Sequence, residues 1–169
     1  MSDIRIETPN GSYNNNEDAY NRVIGYISNK TYFGGYGFYY SQNPDNSITQ
    51  QFKLSETYSN HKNSQKIWHF YITFSKRQSL TDLLKLADQI ALIFARQYQI
   101  VYGLDTDEGR PHLHFGVNAF SYHPDIPVLT LESMQDYLTN LQKELQHWHS
   151  LKTLHYNFRE RRDKDVRTI

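Results

Sequence analysis

The 169-residue chain contains no cysteine, which excludes a disulfide framework and any thiolate metal site. It has no apolar run of the roughly 18 residues that a membrane-spanning helix requires. The leading Met1-Ser2-Asp3-Ile4-Arg5 lacks the basic-then-apolar pattern of a secretion signal, so a cytoplasmic protein is expected. Charge of one sign is also missing. Eighteen Lys and Arg balance 18 Asp and Glu, so the chain is not a strongly basic nucleic-acid clamp, although a local basic groove remains compatible with that balance.

Aromatic and imidazole side chains are plentiful: 14 Tyr, 9 Phe and 8 His. Aromatics interspersed with amides can stack on and hydrogen-bond to unpaired bases; they can equally build a β-rich core. Residues 1–15 read as a flexible lead-in with a short strand near Ile4–Ile6, and Arg159–Ile169 as a charged tail. A helix is expected over 16–28, where Tyr20, Val23, Ile24 and Ile27 recur at helical spacing. The stretch from 30 to 47 is rich in Gly and Tyr and reads as loop or glycine-rich hairpin. A short helix over 48–60 would turn Ile48, Phe52 and Leu54 inward. Ile67–Phe74 is the clearest strand, with Trp68, Phe70, Ile72 and Phe74 on one face and His69, Tyr71 and Thr73 on the other. Ser79 and Thr81 open a long helix ending near Tyr98, with Leu80, Leu83, Leu84, Ala87, Ile90, Ala91 and Phe94 as its apolar stripe. Strands over 99–104 and 112–120 flank a turn, and Thr130 caps a last helix over 131–149. A final strand is expected over 153–158. The order suggests one α+β domain spanning 1–169, an antiparallel sheet covered by helices on one face.

The chemistry concentrates between Asp105 and His114. Alternation along a strand puts His112 and His114 on the same face, with Cα atoms roughly 6–7 Å apart. That spacing suits two nitrogen ligands of one metal ion. The turn brings Asp105 back beside them as a possible oxygen-donating third ligand, leaving positions for a phosphate oxygen and water. A pair of exposed histidines on a solvated face is the plain alternative.

The run from Tyr102 to Asn118 resembles the third motif of relaxases of the MobP class, HUH endonucleases that nick DNA for conjugative transfer. In that motif a histidine, one residue, an aspartate and a short turn precede His-x-His and an asparagine. Asp107, His112, His114 and Asn118 take the matching positions, while Asp105 stands where the family has its first histidine. A carboxylate can still ligate a hard ion such as Mg²⁺ or Mn²⁺, the cofactor the resemblance implies. Trp68–Ser75 resembles the family strand before its long helix, and Val23–Lys30 resembles the first motif, in which a tyrosine is the nucleophile. The resemblance implies an HUH-like palm, an antiparallel sheet with helices on its face or faces. It also implies a metal-dependent, strand-specific nicking-joining enzyme acting on single-stranded DNA at an origin of transfer, with accessory DNA-binding and transfer proteins as partners and a monomeric state.

On that reading Tyr26 is the nucleophile, forming a 5′-phosphotyrosyl link, with Tyr20 and Tyr32 as rivals. A phenol with a pKa of about 10 is a poor nucleophile at neutral pH, so it needs a metal or a nearby base. Asp107 would orient a ligand histidine or take a proton; as a turn cap it would do neither. His69 would lie near the metal or be a hydrogen-bonded core histidine. Lys30, Tyr32, Tyr36, Arg110 and Asn118 are the candidate DNA contacts, Asn118 also being a candidate for fixing its strand end. Other readings are a replication initiator or transposase of the wider HUH class, a binding-only relaxase-like protein, for which the Asp105 departure speaks, and a metallohydrolase unrelated to DNA.

Overall fold

The structure, a computed structural model, describes residues 4–7, 18–62, 65–74, 78–106, 111–149 and 154–157, and of 4–7, 146–149 and 154–157 the backbone alone. Six strands and four α-helices follow the order β1 (Ile4–Glu7), α1 (Ala19–Ser28), β2 (Tyr32–Tyr36), α2 (Ile48–Tyr58), β3 (Ile67–Phe74), α3 (Leu80–Ala95), β4 (Tyr98–Asp105), β5 (His112–Ser121), α4 (Leu131–His149) and β6 (Leu154–Asn157). The strands form one sheet in the order β2-β4-β5-β3-β1-β6. All neighbours pair antiparallel except the outer pair, β1 and β6, which run parallel. The α+β architecture with a central antiparallel sheet is as the sequence indicated.

Helices cover both faces, not one. Strand alternation divides the side chains of β3, β4 and β5 into two sets. Phe70, Ile72, Ile100, Leu104, Leu113, Phe115 and Val117 face α3 and α4 and are fully buried with Phe94, Ile90, Leu138 and Leu145. On the opposite face a smaller cluster joins Tyr20, Val23, Ile24 and Ile27 of α1 to Phe52 of α2, Ile67 and Val101. The helix α3 begins at an N-cap Ser79, whose side chain accepts from the Asp82 N–H. Leu54 and Leu80, expected to point inward, are 45% and 40% exposed; Gln51, Phe52 and Ser55 form the inner face of α2.

The glycine-rich segment hides an edge strand. β2 pairs with β4, setting Tyr32 opposite Leu104 and Tyr36 opposite Ile100. Its glycines removed the β-propensity signal, so the sequence read as loop. Among the described residues no helix is long and apolar enough to cross a membrane.

Candidate active site

The face of the sheet opposite α3 and α4 carries the chemistry. Register sets Asp105 directly across from His112 on one side, and Thr73 across from His112 on the other. One step inward, His114 lies between Gly103 and Tyr71; the next step places Gly116 between Val101 and His69. Imidazoles, a phenol and a carboxylate therefore line one end of the face, and α1 closes the other.

Two strand glycines seat α1 here. A Cβ on Gly103 would stand 2.6 Å from the Ile27 carbonyl oxygen and 2.9 Å from Lys30 Cγ, and one on Gly116 would meet Ile27 at 3.0 Å and Val23 at 3.2 Å. With both absent, the C-terminal end of α1 lies directly on β4 and β5 and carries Tyr26 to the histidines. The Tyr26 ring centroid is 5.2 Å from that of His114, edge to face, and 5.7 Å from that of His69. Tyr26 is nonetheless 48% exposed, so a ligand can reach it. The His112 and His114 rings are 6.2 Å apart and nearly parallel, and the Tyr71 ring lies 5.5 Å from His114 and 6.5 Å from His112.

Lys30, just past α1, binds the cluster together. Its Nζ donates to Asp105 Oδ2 at 2.9 Å and lies 3.9 Å from the Tyr26 ring centroid. Both members of the ion pair are largely shielded, with 13% and 20% of their side-chain surface exposed. Burial disfavours the Lys30 ammonium, but the hydrogen bonds it donates to Asp105 and Tyr26 outweigh that and leave the pKa raised. The histidines are driven the other way. Burial, then the neighbouring His114 and Lys30 charges, pulls His69 down to about 3; burial, Lys30 and His112 pull His114 down to about 4 against the opposing pull of Asp105. Both imidazoles are neutral at physiological pH, the state in which a ring nitrogen can ligate a metal. His69 Nε2 lies 3.3 Å from His114 Nδ1, so one of the two carries the shared proton.

A family model describing the relaxase, MobA/VirD2-like, nuclease domain matches residues 26–151, well over half of the chain. The match begins at Tyr26 and includes the histidine strand. The chain belongs to the relaxase family. No curated protein and no solved structure matches it. The relaxase nuclease domain is a DNA-nicking unit, and DNA is accordingly the substrate class.

Of the residues singled out in the relaxase sequence, the structure brings together Tyr26, Lys30, Asp105, His112 and His114. It sets others apart. Tyr32 and Tyr36 pair with Leu104 and Ile100 and so point to the α3 side of the sheet, away from the histidines; the Tyr36 hydroxyl donates to Asp88 of α3. Any DNA contact they make would therefore lie on that other face and not beside the histidines. Asn118 is fully buried. Its amide donates to the Phe52 carbonyl at 3.0 Å and to Gln99 Oε1 at 2.8 Å, while its Oδ1 accepts from the Tyr20 hydroxyl and the Phe120 N–H. It fixes the strand and is out of reach of DNA. That network also removes Tyr20, which is 1% exposed, as a rival nucleophile. Asp107 and Arg110 lie outside the described residues. Tyr71 is the aromatic that sequence reasoning passed over: it was placed on the His69 face, but only the β3–β5 register shows it opposite His114.

Relaxases generally depend on a divalent metal, and the donors here fit in part. Half-buried His112 and buried, neutral His114 offer ring nitrogens on one face. The expected third ligand, Asp105, is held by the Lys30 ammonium, and among the described residues no three His, Cys, Asp or Glu side chains converge as a metal-holding group.

Proposed function

We propose that this relaxase domain nicks and rejoins one strand of single-stranded DNA at an origin of transfer, through a covalent link between Tyr26 and a 5′-phosphate. The observation that carries the reading is the 5.2 Å approach of the Tyr26 ring to His114, with Tyr26 exposed on the same face as the whole histidine pair.

In the step inferred, the Tyr26 oxygen attacks the scissile phosphorus and gives up its proton, while the departing 3′-oxygen takes one up, so that no net proton is gained or lost. The bond from phosphorus to the 3′-oxygen breaks, leaving a phosphotyrosyl bond and a free 3′-hydroxyl. Attack by that hydroxyl reverses the step and reseals the strand, with the free energy of the broken ester kept in the protein–DNA bond. Lys30 supplies fixed positive charge beside the Tyr26 ring and Asp105, where negative charge develops. His69 acts through His114: if His114 Nδ1–H donates to His69 Nε2, the outward Nε2 of His114 keeps its lone pair for a ligand. His112 and His114 would hold Mg²⁺ or Mn²⁺, which when bound polarises phosphate oxygens. Asp105 would join them only on leaving Lys30. That pairing is the specific feature favouring the second reading, a relaxase-like protein that binds DNA without cutting it.

The deciding assay runs protein and single-stranded oligonucleotides on a denaturing gel with Mn²⁺ or Mg²⁺. Nicking predicts a covalent band that chelator and His112→Ala each remove. Tight binding with no band under any condition would establish the second reading instead.

A further inference from the structure

A cleft of about 660 Å³ opens on the flank of α1, between that helix, the loop after β2 and the start of α2. Its volume lies within the roughly 300–1,000 Å³ of small-molecule sites. None of the residues lining it is charged, so a phosphate or carboxylate there would find no counter-charge. Asn21, Ser28, Gln42 and Thr49 instead offer amides and hydroxyls that both donate and accept, as the edges of a nucleobase do.

Two features equip the cleft to hold a planar ring. Tyr40, one of its walls, is 68% exposed, yet its ring is fixed edge-on by Phe38 at 5.6 Å and Phe33 at 6.4 Å. Its loop is pinned as well: the Gln51 side chain accepts from Tyr39 N–H at 3.0 Å and donates to its carbonyl at 2.8 Å, and Gln99 donates to the Gly37 carbonyl at 3.0 Å. An exposed aromatic that loses little freedom on binding is a good stacking platform. Gly25 is the second feature. Glycine is a poor helix-interior residue, and no packing contact demands it, because a Cβ there would meet nothing within 4 Å. Its effect is to leave the wall of α1 open to the cleft, one residue before Tyr26.

We propose that this cleft takes one unpaired base of the DNA strand, stacked on Tyr40 and read by the surrounding amides and hydroxyls. The inference rests on the nicking reading above and adds where the strand is recognised.

The test uses a single-stranded oligonucleotide selected for tight binding from a random pool, with a single abasic site scanned along it. Binding is measured by fluorescence anisotropy for wild type, Tyr40→Ala and Gly25→Leu, the last filling the cleft where there is room for a side chain. Melting temperature confirms that both variants fold. Wild type should lose about tenfold or more in affinity at one abasic position. Each variant should lose a similar factor on intact DNA and show little further loss at that position. Variants that bind intact DNA as wild type does, or whose losses multiply with the abasic loss at every position, would overturn the proposal. Binding without a covalent adduct would overturn only the nicking reading, since the abasic scan still reports on the cleft. A pool from which no strand is enriched would overturn both.

Discussion

His69 and His114 resist protonation in the folded protein, at about 3 and about 4, because burial and the Lys30 charge penalise the imidazolium. An unfolded chain protonates both near the ordinary value of about 6.5. The folded pKa values are depressed, so their contribution to stability is complete above about pH 6.5. It is lost as the pH falls from there towards about 4, by up to about 1.4 kcal/mol per pH unit for each proton taken up. Urea unfolding between pH 7.5 and 4.5 should show this decline, and His69→Gln should make it shallower by about half; a flat profile in wild type would contradict the burial of this pair. The histidine pair itself was legible from period-two alternation in one strand. Its partners were not. Lys30 and Asp105 are 75 positions apart, and nothing local to either residue announces the ion pair.

The seat of α1 is a property of elements, set by Gly103 and Gly116. A Gly103→Ala side chain would press on the Ile27 carbonyl, a backbone atom that cannot rotate away. The expected cost is about 1–3 kcal/mol, together with a drop in adduct formation as Tyr26 lifts from the histidines. Gly25→Ala in the same helix has open space and should stabilise by up to about 1 kcal/mol. Thermal melts of the two variants should therefore shift in opposite directions. Strand glycines flanking the histidine positions were a readable sign of close backbone approach, but which helix approaches is decided by topology. The same glycine bias concealed β2, and with β2 unread, Tyr32 and Tyr36 could not be assigned to the face they occupy.

Across the whole molecule, a buried polar network ties both layers on the active face to the sheet. Asn118 links α1 through Tyr20, α2 through the Phe52 carbonyl, and β4 through Gln99, which also accepts from Ser55 at 2.7 Å. Asn118→Leu would leave several of these groups without partners and should cost about 2 kcal/mol or more, measured by urea unfolding. The remaining folded protein should bind single-stranded DNA as before, because Asn118 does not reach the surface. Selective loss of DNA affinity with stability intact would assign it to the interface after all. Apart from β2, the element order followed from hydrophobic period and propensity, as did the α+β class and the histidine strand. The covering of both faces and this network follow from tertiary pairing, which alternation within one segment does not encode.

The most direct test of the account is to digest a protein–DNA adduct formed with Mn²⁺ and locate the modified residue by mass spectrometry. The account predicts a nucleotide phosphate on Tyr26 and no adduct from Tyr26→Phe, whose stability should stay within about 0.5 kcal/mol of wild type. Phosphate on Tyr71, which also borders His114, or an adduct undiminished in Tyr26→Phe, would contradict it.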